Sequence, residues 1–274
     1  MITGFILALR EGLESALIVG IVLGALRHMG KVNWARAVWG GVISAGVVSL
    51  IGAAALYRVG IQLEGKAEEI FEGMTMLLAA GVLTWMIFWM KRQAVYLRRD
   101  LEKEVERAAT STSVRALFLL AFVAVVREGL ELSLFLTAAA FSGNGLFTWL
   151  GGLMGLICAV ILGWLFFRTT VKLSLKRFFQ FTSILLLFFA AGLVGHGIHE
   201  LNEAGWIPAL VEPVWNVNSI LDEKSPLGML LTSLFGYNGN PSLSEAVGYL
   251  SYFIIIGFAI WKKPPRRIAI QNTA

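Results

Sequence analysis

The chain has 274 residues, of which 57% are hydrophobic and only 15% are charged. A soluble domain of this size carries roughly a quarter charged residues, so the composition excludes a solvated globular surface and indicates a polytopic membrane protein. The formal net charge of +5 does not indicate a nucleic-acid partner, because the basic residues are concentrated in particular loops. The single cysteine, Cys158, lies inside an apolar run, which excludes an intrachain disulfide and a cysteine-based zinc site.

Seven apolar runs are candidates for membrane-spanning helices, since a helix needs about 20 residues to cross the hydrocarbon core. None shows the period-two alternation of barrel strands, so the sequence predicts an all-α fold in one transmembrane domain, 1–274. No basic residue precedes Arg10, and the first run is therefore interpreted as a retained span rather than a signal peptide. The predicted spans are 3–26, 37–57, 70–90, 114–140, 146–167, 178–199 and 246–261, and 200–245 is predicted to be a long irregular loop.

Basic residues are divided unequally between two sets of loops. Eighteen of them follow the first, third, fifth and seventh predicted spans, whereas only three lie in the alternate loops. Because Lys and Arg accumulate in cytoplasmic loops, we expect a multi-pass protein of the plasma (inner) membrane with its N-terminus outside and its C-terminus in the cytoplasm. The long loop is then external, and it makes the outer face acidic through Glu203, Glu212, Asp222, Glu223 and Glu245.

The pattern Arg-Glu-Gly-Leu-Glu occurs twice, at 10–14 and at 127–131. A weaker echo relates Leu-Leu-Ala-Ala-Gly at 77–81 to Phe-Phe-Ala-Ala-Gly at 188–192. Two copies of a three-span unit are therefore predicted. Because three is an odd number, the second copy must insert in the opposite direction, which gives the 3+3 inverted repeat of many transporters. The repeats are predicted at 1–95 and 114–200, and the seventh helix at 246–261.

Both motifs place charged side chains inside apolar spans, at a cost of several kcal/mol per group. At 100° per residue, Arg10, Glu11 and Glu14 form one polar edge of the first helix. Gly12 falls on the far side, where it allows a neighbouring helix to approach closely. The same edge recurs on the fourth helix in Arg127, Glu128 and Glu131. The two edges reach the middle of the bilayer from opposite sides, and we expect them to face each other.

Four carboxylates and two guanidinium groups in one site predict the binding of a metal cation. Carboxylates are hard oxygen ligands, whereas a carrier of soft metals would more plausibly have cysteine or methionine at these positions. If each arginine neutralises the glutamate four residues later, the site keeps a nominal charge of −2, which suits a multivalent cation. The structural alternative is that the motifs are ion pairs that hold helices together.

These motifs, in the first and fourth of seven helices, resemble the high-affinity iron permease family, which includes fungal oxidase-coupled permeases and the permease subunit of bacterial acid-induced uptake systems. The resemblance implies import of iron as the transported substrate. It also implies an extracytoplasmic oxidase or iron-delivery protein as partner of a chain that lies in the lipid bilayer. The sequence leaves the oligomeric state open, and an oligomer is compatible with it. No redox centre or cofactor motif is present in the sequence, so we do not expect an enzyme. The implied iron ligands are Glu11, Glu14, Glu128 and Glu131, supported by Arg10 and Arg127.

A second set of polar residues lies at the predicted outer ends of the third and sixth spans. Our hypothesis is that this outer set collects cations, because the matching inner end of the sixth span, around 179–183, carries no acid. The alternative is that these are solvated residues of helix ends. The outer set comprises Glu68, Glu69, Glu72, His196, His199 and Glu200.

Several alternatives stay open at the level of sequence. The cargo could be another divalent ion, such as lead or manganese, or the glutamates could relay protons in a proton-coupled channel. An intramembrane enzyme that uses paired carboxylates is disfavoured, because no nucleophile is evident. Four carboxylates favour ferric iron and the two arginines temper that preference, so both oxidation states remain candidates.

Overall fold

The computed structural model describes residues 1–93, 105, 114–168 and 175–261. Most of the basic loop after the third predicted span, 94–113 apart from residue 105, and the basic tail at 262–267 lie outside the described residues. Within the described ranges every regular element is helical, with a 3-10 turn at Val32–Trp34, so the all-α prediction is confirmed. The α-helices there are α1 (Ile2–His28), α2 (Ala35–Gln62), α3 (Lys66–Gln93), α4 (Val114–Phe141), α5 (Gly145–Arg168), α6 (Leu175–Glu203), α7 (Pro226–Phe235) and α8 (Leu243–Trp261).

Five of these helices, α2, α3, α5, α6 and α8, are long and apolar enough to cross a membrane. Helices α1 and α4 are as long, at 27 and 28 residues, but each carries the three charged side chains of a motif. Each predicted span coincides with one of these seven long helices, and the observed helices extend past the predicted ends by at most a few residues. Apolar length therefore located these seven helices correctly.

The prediction of an irregular loop over 200–245 is wrong in part, because the loop contains helix α7. Ser225 caps the N-terminus of this helix, where its Oγ accepts a hydrogen bond of 2.9 Å from the Gly228 amide. Pro226 occupies the first turn, which needs no amide donor. The helix ends at Gly236, whose φ of +67° is a left-handed conformation that favours glycine.

Helix α7 packs into the bundle rather than lying over it. The Thr3 hydroxyl at the start of α1 donates a hydrogen bond of 2.8 Å to the Ser233 carbonyl. The Phe235 ring lies 5.3 Å from that of Phe188 on α6, and the backbone of Gly236 packs on Gly192, in the C-terminal half of α6. This part of the long loop is thus anchored to the same end of the bundle as the N-terminus of α1.

Small residues determine how the long helices pack. Helix α1 lies along α5, α2 along α4 and α3 along α6, and α1 also contacts α4. Gly155 of α5 lies against the Phe5 carbonyl of α1, and Gly41 of α2 lies against the Phe118 carbonyl of α4. In an apolar solvent, helix association depends on such close backbone packing, because burial of apolar side chains gives little driving force.

The glycines of the two motifs also lie at helix crossings. A Cβ atom on Gly12 would be 2.6 Å from the Ala159 Cβ of α5, and one on Gly129 would collide with the Ser49 side chain of α2. The prediction that the motif glycine admits a neighbouring helix therefore agrees with the structure. Each motif helix packs its glycine side on a partner and keeps its charged edge free for the other motif.

We expect Gly41→Ala to destabilise the protein, because the new Cβ would lie 2.5 Å from the Phe118 carbonyl oxygen and 3.0 Å from the Phe122 amide nitrogen. Forcing a methyl group into such a contact costs about 1–3 kcal/mol. Gly46→Ala on the same helix is the matched control, since its Cβ would meet no atom within 4 Å and the substitution favours the helix by up to about 1 kcal/mol. Thermal unfolding in detergent should show a lower Tm for the first variant only; equal Tm values for both would contradict the close packing.

Candidate metal centre

The two charged motifs meet where α1 contacts α4. Glu11, Glu128 and Glu131 each offer a carboxylate oxygen, and these three atoms lie within 4.8 Å of one another. Glu11 is 1% exposed and Glu128 is 4% exposed, and the Glu131 side chain is 11% exposed. The structure therefore brings acidic groups from both motifs together, as the facing polar edges predicted.

Each motif arginine pairs with carboxylates of its own helix. Arg10 Nη1 lies 2.8 Å from Glu11 Oε1, and Arg10 Nη2 lies 3.1 Å from Glu14 Oε1. Arg127 Nε donates a hydrogen bond of 3.0 Å to Glu131 Oε1. The pairing of each arginine with the glutamate four residues later is thus present in both motifs. Glu14 pairs with Arg10 and is not one of the three carboxylates that converge. The sequence had predicted the same ligand role for all four motif glutamates.

One oxygen of each converging carboxylate has no protein partner. The Oε2 atoms of Glu11, Glu128 and Glu131 are buried and accept no hydrogen bond. A buried charged oxygen without a partner carries a large desolvation penalty, and a bound cation would remove it. Divalent cations bind oxygen ligands at about 2.0–2.6 Å, so two ligands of one ion lie at most about 4–5 Å apart. The observed separation is close to this limit.

Helix α3 completes the surroundings of both arginines. Arg10 Nη1 donates to Met86 Sδ at 3.2 Å, and Arg10 Nη2 donates to Met90 Sδ at 3.3 Å. The Arg127 guanidinium carbon lies 4.2 Å from the centre of the Trp89 ring, a cation–π contact. Sequence reasoning missed these three side chains, because tertiary packing and no pattern within α3 decides which face of that helix meets the motifs.

The predicted outer set lies at one end of the bundle, where the start of α3 crosses the end of α6. A Cβ on Gly73 would lie 2.8 Å from the Gly197 carbonyl oxygen and 3.2 Å from the Glu200 Cβ, so acids of both helices flank this crossing. Among the described residues, however, no three members of the outer set bring ligand atoms within 4.8 Å of one another. His196 Nδ1 lies 3.0 Å from the Gly192 carbonyl of its own helix.

His199 lies between two carboxylates. Its Nε2 is 3.4 Å from Glu203 Oε1 and its Nδ1 is 3.6 Å from Glu245 Oε2. Glu245 is only 3% exposed, and both of its carboxylate oxygens accept hydrogen bonds from Asn238, at 2.9 and 3.0 Å. Assigning Glu245 to the external loop was wrong, because it lies in the first turn of α8. The Ser-Leu-Ser-Glu pattern at 242–245 is a capping signal that could have located it there, and Ser242 Oγ accepts from the Glu245 amide at 3.2 Å.

Comparison with known proteins gives one consistent result. The chain matches the iron permease FTR1 family over residues 1–264. Proteins named ferrous iron permease EfeU from Shigella sonnei (strain Ss046) and Escherichia coli O157:H7 are each 35% identical over 270 residues, covering 97% of this chain and 97% of theirs. The protein of that name from Yersinia pestis is 35% identical over 271 residues, covering 98% and 96%. No solved structure matches the chain.

Family and relatives are described as permeases, which confirms the expected family and the expectation of a transporter rather than an enzyme. The several long apolar helices agree with a multi-pass membrane protein. The predicted resemblance to iron permeases extends in these comparisons over nearly the whole chain. The chain therefore belongs to the iron permease FTR1 family.

Proposed function

We propose that this iron permease imports ferrous iron through the cluster formed by Glu11, Glu128 and Glu131, with Glu14 as a fourth carboxylate released from Arg10 during transport. One observation carries the proposal: three buried carboxylates from two helices converge within 4.8 Å, and each keeps a buried oxygen without a partner. Ion pairs that only held the helices together would leave no such surplus of acceptors. The relatives named as ferrous iron permeases support the same cargo.

The charge of the cluster favours the ferrous ion. Four carboxylates and two guanidinium groups leave a nominal charge of −2, which one divalent cation neutralises. A trivalent ion would leave an uncompensated positive charge in an apolar bundle, where a single charge costs several kcal/mol. Among divalent ions, Mn²⁺ and Pb²⁺ remain competitors to be tested directly.

We also propose that residues 1–95 and 114–200 are inverted repeats and that the seven long helices all span the membrane. The pairing of the helices supports a two-fold relation: exchanging α1, α2 and α3 for α4, α5 and α6 converts the α1–α5 pair into the α4–α2 pair. The same exchange leaves the α3–α6 and α1–α4 pairs unchanged. The two motif glycines also pack alike, Gly12 on Ala159 and Gly129 on Ser49.

In this arrangement the N-terminus and the loop 204–242 face the outside, as the distribution of basic residues predicts. The outer set then lies at the external end of α3 and α6, and we propose that it collects ferrous ions together with Glu203 and Glu245, which flank His199. Rocking of one repeat against the other would expose the midplane cluster to each side in turn. An external oxidase or iron-delivery protein stays a prediction from the family resemblance.

Replacement of a converging carboxylate should abolish transport without unfolding the protein. We expect Glu11→Gln and Glu131→Gln to reduce uptake of labelled Fe²⁺ into proteoliposomes by at least about tenfold, since even indirect support of a metal ligand is worth roughly 10–100-fold in affinity. Glu64→Gln, at an exposed position between α2 and α3, is the control and should transport like the wild type.

Normal Fe²⁺ uptake by either cluster variant would show that the metal ligands are other residues. Preference for Mn²⁺ or Pb²⁺ over Fe²⁺ in competition would support the alternative cargo. Proton flux in metal-free liposomes that disappears in Glu131→Gln would support the proton-channel alternative instead.

The proposed orientation predicts which loops react from outside the cell. In a Cys158→Ala background, Ile220→Cys, at a position 86% exposed in the long loop, should react with a membrane-impermeant maleimide on intact cells. Val32→Cys, at a position 55% exposed between α1 and α2, should react only after permeabilisation. The reverse labelling pattern would show that the orientation is inverted.

Loss of an outer ligand should affect capture more than turnover. We expect Glu72→Ala and His199→Ala to raise the half-saturating Fe²⁺ concentration several-fold while the maximal uptake rate changes little, because the midplane cluster is intact. Glu212→Ala, at an exposed position in the loop between α6 and α7, is the matched control. Kinetics of Glu72→Ala and His199→Ala that equal those of the control would rule out a collecting role.

A further inference from the structure

The side chain of Arg10 is enclosed by four acceptors and is completely buried. Its Nη1 contacts Glu11 Oε1 at 2.8 Å and Met86 Sδ at 3.2 Å. Its Nη2 contacts Glu14 Oε1 at 3.1 Å and Met90 Sδ at 3.3 Å. A cationic group is therefore surrounded by two carboxylate oxygens and two thioether sulfurs. Each terminal nitrogen contacts one oxygen and one sulfur atom, but Glu14 Oε1 pairs with Nη2 through charge alone and accepts no hydrogen bond.

We propose that these four acceptors form a mixed oxygen–sulfur cation site, in which a transported ferrous ion replaces the Arg10 guanidinium, and that Met86 and Met90 determine metal specificity. This inference rests on the proposed transport of iron through the neighbouring carboxylate cluster. Met86 and Met90 are one turn apart on α3, so both sulfur atoms lie on the face of the helix that contacts Arg10. The arginine acts as a tethered cation that keeps the site occupied between transport events.

Unpartnered atoms support a site that changes its occupant. Arg10 Nε is buried and donates no hydrogen bond, and Glu11 Oε2 is buried and accepts none. Thioether sulfur is a weak acceptor, so the two methionines stabilise the guanidinium less than oxygen acceptors would. The arrangement thus holds Arg10 mainly through Glu11 and Glu14, for which an incoming divalent cation competes.

Glu11 connects this mixed site to the carboxylate cluster. Its Oε1 binds Arg10, whereas a carboxylate oxygen of the same residue lies within 4.8 Å of those of Glu128 and Glu131. An ion held by the three converging carboxylates therefore shares one ligand residue with the mixed site. The ion would pass from the carboxylate cluster to the mixed site by exchanging its other ligands while Glu11 stays bound. It would not have to leave the protein.

The sulfur ligands alter the metal preference expected from oxygen ligands alone. Thioethers stabilise soft and borderline ions, whereas hard ions such as Mn²⁺ and Mg²⁺ gain little from them. A site of two carboxylates and two thioethers therefore favours Fe²⁺ over Mn²⁺ and over Fe³⁺. It also predicts strong competition by Cd²⁺, a soft ion of the same charge that undergoes no redox reaction under these conditions.

The test compares competition by a soft and a hard ion for Fe²⁺ uptake into proteoliposomes. In the wild type, Cd²⁺ should inhibit at a concentration about tenfold below that of Mn²⁺, a factor equal to about 1.4 kcal/mol. In the double variant M86L/M90L this ratio should fall towards one. M76L is the matched control, because Met76 is a fully buried methionine of α3 in the apolar core, among residues such as Leu83 and Phe135; its ratio should equal that of the wild type.

Methionine-to-leucine changes conserve volume and usually cost less than about 1.5 kcal/mol, so we expect the variants to fold. If the double variant does not, M90L alone, at a partly buried position, should shift the ratio in the same direction. An unchanged ratio in a variant that transports Fe²⁺ would overturn the mixed site and leave the proposed function intact. Absence of Fe²⁺ uptake by the wild type would overturn the proposed function itself.

Discussion

The placement of six charged side chains in an apolar bundle is the constraint on which the rest of the structure depends. Each charge placed in a membrane costs several kcal/mol, and two arginines offset only part of the cost of four carboxylates. The two arginines contact one carboxylate oxygen each of Glu11, Glu14 and Glu131, at 2.8, 3.1 and 3.0 Å. The remaining oxygens are concentrated at the contact of α1 and α4, which makes this contact the place where a cation is most favourable.

Close helix packing keeps these charges together. Glycine and small residues at the α1–α5 and α2–α4 crossings allow each motif helix to pack tightly on its far side. Its polar edge then faces the other motif. Larger residues at Gly12 or Gly129 would push the motif helices away from their partners and separate the carboxylates. Stability and site geometry therefore depend on the same small residues, which explains why each glycine lies within its charged motif.

The sequence predicted the helices and the motif pairing well, and for physical reasons. Apolar length indicates a membrane-spanning helix. A rotation of 100° per residue places Glu11 and Glu14 on one edge of that helix, whichever helices pack against it. Helix α7 was missed although Ser225, Pro226 and Gly236 are ordinary boundary signals, because a loop rich in proline was taken as irregular. Met86, Trp89 and Met90 carry no charge or periodicity of their own, and which face of α3 meets the motifs is decided by tertiary packing.

The two motifs are identical in sequence, but their surroundings are not. Arg10 is completely buried between methionines, whereas Arg127 is 35% exposed beside Trp89. In the proposed repeat, the 111-residue offset between 77–81 and 188–192 aligns Met86 with Gly197 and Trp89 with Glu200. In this proposal, the aligned segments of α3 and α6 differ: α3 carries sulfur and aromatic groups beside the motif arginines, and α6 carries an acid at the end of the bundle where the two helices cross. Such divergence gives a symmetric scaffold a direction, because acidic groups favour capture of hydrated cations and thioethers discriminate between them after dehydration.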